Sequence, residues 1–114
     1  MSEPLNPVQV ESLVRDLANR IHASIPVVSG AEAAMVDARR ALDRAEARAY
    51  LRSEGTVRER DAMVHVDVVP ERDAYDVAYL AFRDAERRMK ALTAQLSAAQ
   101  SIGRSVTQMY GSTR

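Results

Sequence analysis

The chain predicts an all-α fold: a long antiparallel helical hairpin of coiled-coil type with an additional N-terminal helix, assembled into an oligomer. Three observations carry that prediction. Apolar residues recur at alternating spacings of three and four, the period of a helix lying along another helix. Alanine is abundant while aromatics amount to four tyrosines and one phenylalanine, so any core is thin and built from close helix contacts. Ser53-Glu54-Gly55-Thr56 then separates two such patterns with a helix stop and a helix start. With 114 residues the chain makes a single helical domain that leaves much surface for an oligomer or partner to cover.

Asn6 followed by Pro7 reads as an N-cap and first helical residue, and Val10, Leu13, Val14, Leu17 and Ile21 mark one apolar stripe. An N-terminal helix is therefore expected over 6–24. Ile25-Pro26 ends it, because the residue before a proline is pushed out of the α region. Ser29 with Glu32 three positions on offers a capping box for a second, basic helix over 30–54, whose seam is Ala31, Met35, Ala38, Leu42, Ala45 and Ala49. Gly55 fits the C-cap of that helix, and Thr56 with Glu59 offers another capping box.

Residues 55–70 form a turn or kinked connector. Its alternating valines, Val64 to Pro70, fit a strand, yet their flanks are helical and a lone strand has nothing to pair with in this chain, so a kinked helix is the expectation. A long helix follows over 71–110. Its seam runs through Tyr75, Ala78, Phe82, Ala85, Met89, Leu92, Leu96 and Ala99, with Val106 and Tyr110 in phase and Gly103 interrupting as a site for a bend. Leu42, Tyr75, Phe82, Met89, Leu92 and Leu96 are the large residues expected to carry helix packing and oligomer assembly.

Sixteen basic and sixteen acidic residues cancel, but unevenly: residues 87 to 114 hold Arg87, Arg88, Lys90, Arg104 and Arg114 and no acid. The absence of cysteine removes disulfides, thiolate chemistry and cysteine-ligated metal, and agrees with a reducing compartment, so the cytoplasm is expected. No apolar run approaches the roughly 20 residues that span a bilayer, and the opening MSEPLNP lacks the blocks of a signal peptide. Neither membrane insertion nor export is expected.

Arg40, Arg44, Arg48 and Arg52 recur every fourth residue, with Glu32, Asp43, Glu46 and Glu54 on another side of the same helix and Asp37 alone among the arginines. Segregated guanidinium groups suit a polyanion, because they are permanently charged and pair two-pronged with phosphate oxygens. Arg58 and Arg60 extend the basic row beyond the turn, and Arg87 and Lys90 present a second basic surface on the long helix. The plainer alternative is a solvated coiled-coil exterior with ordinary ion pairs, or a surface for an acidic protein. Tyr50 adjoins Arg48 and Arg52 and is the tyrosine placed to stack on an unpaired base, whereas Tyr75, Tyr79 and Tyr110 suit packing.

His22 and His65 stand without the ligand spacing that zinc requires, and Asp67, Glu71, Asp73 and Asp76 scatter around a helix with no loop to organise them. Ser101, Ser105 and Thr107 lie near no base, and no glycine-rich phosphate loop is present. No enzyme activity, cofactor or metal is expected.

The segment EARAYLRSEGTVRER (46–60), followed by a long helix ending QSIGRSVTQMYG (100–111), resembles the UvsY-like recombination mediators of bacteriophages. The shared features are a basic helix with an aromatic residue and glycine at its end, a variable connector, and a long helix with a glycine-containing basic terminus. Arg48 matches a basic position of that family; Glu46 stands where a second basic residue is expected, with Arg44 and Arg52 on the arginine side to supply the charge. The resemblance implies a non-enzymatic homo-oligomer that binds single-stranded DNA and helps load a recombinase onto strands coated by single-strand-binding protein. The competing expectation, from the neutral net charge, is a structural or assembly coiled-coil protein that binds a protein partner and no nucleic acid.

Overall fold

The computed structural model describes residues 5–111. They form three helices in chain order, α1 (Pro7–Arg52), α2 (Val57–Asp67) and α3 (Val69–Gly111), with no strand among the described residues. The architecture is the expected all-α antiparallel hairpin: α1 and α3 are its arms and α2 lies in the connection. Packing divides into two compact units, one of residues 1–27 with 86–114, the other of residues 28–85.

The start of α1 is made as its sequence specifies. The Asn6 side-chain oxygen accepts from the Gln9 amide and the Gln9 side chain accepts from the Asn6 amide, both at 2.9 Å, so two orphan donors of the first turn are satisfied reciprocally.

The expected break between an N-terminal helix over 6–24 and a basic helix over 30–54 is absent. α1 runs through Pro26 without interruption, and Ser29, taken as a cap, sits in the helix interior. The physical reason lies in the seam. Val10, Val14, Leu17, Ile21, Ser24, Val28, Ala31, Met35, Ala38, Leu42, Ala45 and Ala49 are all buried or half-buried, and they alternate steps of four and three across the proline with no change of phase. Pro26 itself is exposed, and its ring removes one backbone hydrogen bond while every seam contact on either side is kept.

In the unit of residues 28–85, Leu42, Ala45 and Ala49 of α1 pack with Val68, and Val64 and Tyr75 close over them. The Arg39 guanidinium lies 5.5 Å from the Tyr75 ring centroid, and Tyr79 stands 6.1 Å from Tyr75. The connector of 55–70 is largely helix, not turn. Thr56 caps α2 by accepting from the Glu59 amide at 3.2 Å, and the interruption falls on the single residue Val68. Pro70 accounts for it: a proline there has no amide to donate to Val66 and its ring crowds that carbonyl, so the helix is interrupted and restarts at Val69. Val68 is 1% exposed, which anchors the kink in the core.

In the unit of residues 1–27 with 86–114, Val10 and Leu17 of α1 are buried, as are Ala99 and Val106 of α3. α3 runs through Gly103 without interruption. This glycine occupies a seam position where an added methyl would stand 3.0 Å from Cγ1 of Val10, so the missing side chain lets the two arms approach. On α3 as a whole the seam residues Tyr75, Ala78, Phe82, Ala85, Met89, Leu92, Leu96, Ala99 and Val106 are buried or half-buried, while Tyr110, in phase, is exposed. The residues expected to mediate oligomer assembly, Leu42, Tyr75, Phe82, Met89, Leu92 and Leu96, therefore lie on the seams that join the two arms of one chain. Assembly through them would have to compete with the hairpin itself.

Candidate nucleic-acid interface

All of the α1 and α2 candidates lie in the unit of residues 28–85, and Arg40, Arg44, Arg48, Arg52 and Arg58 are exposed. No hydrogen bond or ion pair among the described residues engages these five. The four on α1 do not form a straight strip. Each step of four residues advances about 6 Å along the axis and about 40° around it, so the row fans through roughly 120° between Arg40 and Arg52. A ligand following it winds around the helix rather than lying along one edge. The neighbouring Arg39 is separate from the fan and spent on Asp43 at 3.3 Å, on the acidic side.

Arg60 belongs to the fold. Its Nη2 donates to the Tyr50 carbonyl at 2.9 Å and its Nε to Ser53 Oγ at 3.1 Å, while the guanidinium lies 4.0 Å from the centre of the Tyr50 ring. Ser53 is buried, and its amide and hydroxyl also donate to the Tyr50 carbonyl, at 3.2 and 2.6 Å. Tyr50 O is one of the last four carbonyls of α1, which have no partner inside the helix, and here three donors converge on it. Arg60 thus caps α1, and one face of Tyr50 is covered by Arg60, leaving half-buried Tyr50 only partly available to a base. Gly55 completes the turn at φ +109°, where a side chain would also collide with the Glu59 carboxyl.

Arg87 and Lys90 are exposed on α3 in the unit of residues 1–27 with 86–114. They are near neighbours on that helix.

Two features escaped the sequence. Glu71 continues the α3 seam one step ahead of Tyr75; it is half-buried and its Oε2 is enclosed without a hydrogen-bond partner. Its four-residue spacing from Tyr75 was the available signal. The second is an open groove of about 540 Å³ beside the α1–α2 turn, lined by Ala47, Leu51 and Val64 together with Asp43, Glu46 and Asp61. It depends on where α2 folds back, which no spacing encodes.

No group of three histidine, aspartate or glutamate side chains able to hold a metal occurs among the described residues, and none of their helices is long and apolar enough to cross a membrane. Comparison with protein-family models, curated proteins and solved structures gives no match.

Proposed function

We propose that this chain is a non-enzymatic, cytoplasmic accessory protein that binds single-stranded DNA through the outer side of α1, as an oligomer. The observation that carries the proposal is the fan of Arg40, Arg44, Arg48 and Arg52, exposed, free of ion pairs and extended past the turn by Arg58. Fixed cations at about 6 Å rise per step match a flexible polyanion better than a compact acidic ligand, since each guanidinium takes a phosphate two-pronged and no base is read. The likeness of residues 46–60 and 100–111 to UvsY-like mediators supports placing that activity in recombinase loading on strands coated by single-strand-binding protein.

A second function, a structural coiled coil that binds protein and no nucleic acid, is favoured by one observation: Leu51, Val77 and Leu80 are 81%, 69% and 64% exposed, more apolar surface than a solvated exterior needs. Fluorescence anisotropy with a labelled oligothymidine separates the two. DNA binding predicts salt-sensitive association that the pair Arg44→Glu with Arg48→Glu strongly weakens while light scattering shows the mass unchanged. No association at low salt by folded protein would sink the proposal.

A further inference from the structure

We propose that the groove beside the α1–α2 turn docks a second copy of this chain, taking the outer face of its α3 around Arg87, Lys90 and Ala94. The seams that could have served assembly are filled within each hairpin, so the oligomer of the proposed function, on which this inference rests, needs other surface. The groove supplies it. Leu51, almost fully exposed, lines it with Ala47 and Val64 and with the carboxylates of Glu46, Asp61 and Asp43, the last already ion-paired with Arg39. Apolar side chains in company with carboxylates suit a helix that is itself small-faced and basic.

The chain carries one such helix. Residues 87–111 contain no acid, and the side of α3 away from its seam presents Arg87, Lys90, Ala91, Ala94 and Ala98, all exposed. The alanines permit close backbone approach while the two cations reach the carboxylates. The charges of the two units agree with this arrangement. Residues 28–85 hold nine basic and twelve acidic side chains, net −3, whereas residues 1–27 with 86–114 hold seven and four, net +3. A neutral chain divided in this way is repelled when like units meet and attracted when unlike units meet. The contact is therefore heterologous, groove of one copy to helix of the next, and it closes into a ring or continues as a filament according to the rotation per step. It uses none of the arginines in the DNA fan.

The test is run without DNA, so that its outcome is independent of the nucleic-acid proposal. In the groove variant Asp43→Lys with Asp61→Lys, and in the helix variant Arg87→Glu with Lys90→Glu, light scattering is expected to show each alone as a smaller species than the unaltered chain. Mixed in equal amounts the two regain the larger mass, because a reversed groove then meets a reversed helix. An unaltered chain that stays monomeric, a single variant that keeps the full mass, or a mixture that stays small would each overturn the proposal. If circular dichroism shows that a charge variant has not folded, cross-linking decides instead. The chain has no cysteine, so Leu51→Cys and Ala94→Cys chains give a clean background when mixed and oxidised. The link between positions 51 and 94 should exceed either like-to-like link by about fivefold at low salt and fall to the roughly twofold excess of random pairing near 1 M salt, where exposed charges are screened. A random mixture of links at low salt would overturn the proposal.

Discussion

Arg60 illustrates how a side chain read from the sequence as a free cation can carry a structural role as well. Its charge is evident in the sequence, but its place is set by a turn that brings it back to Tyr50, ten residues earlier, where it serves the α1 terminus. The two roles are separable. Arg60→Lys keeps the charge but loses the planar fork that spans Tyr50 O and Ser53 Oγ, so urea unfolding should show a loss of about 1–2 kcal/mol while DNA affinity changes little. A large loss of affinity with stability intact would return Arg60 to the interface. Gly55 is legible as a break between two helical patterns, but it stands three residues past Arg52, in the turn rather than at the C-cap of α1. At its φ of +109°, and with the Glu59 carboxyl against it, Gly55→Ala should cost about 1–3 kcal/mol by the same measurement.

At the scale of the elements, the heptad pattern was the trustworthy signal and the local breaker rule was not. Every seam residue named from Ala31 to Ala49 and from Tyr75 to Ala99 is buried or half-buried. The capping of Asn6 and Thr56 was equally readable, because each cap needs only residues three apart. Pro26 does not end the helix because Ser24 and Val28 carry the seam through it, and the loss of one hydrogen bond is small beside that packing. This has a measurable consequence: Pro26→Ala restores a donor and relieves the ring at an exposed position, so it should raise stability by about 1–3 kcal/mol with the helix content unchanged or higher. The two helix-interior glycines should behave differently from one another. At Gly30 an added methyl meets nothing within 4 Å, so Gly30→Ala should gain about 0.5–1 kcal/mol. At Gly103 the same methyl presses on the stiff, buried Val10, so thermal unfolding of Gly103→Ala should show no gain or a loss. Equal gains at both sites would mean that Gly103 does not set the approach of the two arms.

For the whole molecule, zero net charge removes any general attraction to nucleic acid, so binding must come from local segregation. The proposed DNA surface lies in the unit whose own net charge is −3, which makes the salt response diagnostic. If Arg40, Arg44 and Arg48 each neutralise a phosphate, log affinity should fall against log salt with a slope of about −2, approaching about −3.5 if Arg52 and Arg58 also engage. Arg44→Glu with Arg48→Glu should flatten that slope by at least about 1.4, the share of two contacts. Arg87→Glu with Lys90→Glu, in the other unit, should leave the slope unchanged when compared at equal oligomer mass. The reverse pattern, a slope carried by Arg87 and Lys90 and indifferent to the fan, would move DNA to α3 and leave α1 as an ordinary solvated exterior. The sequence could name both basic surfaces because charge is local. It could not choose between them, because what shields or frees each one depends on partners that the chain meets only after folding.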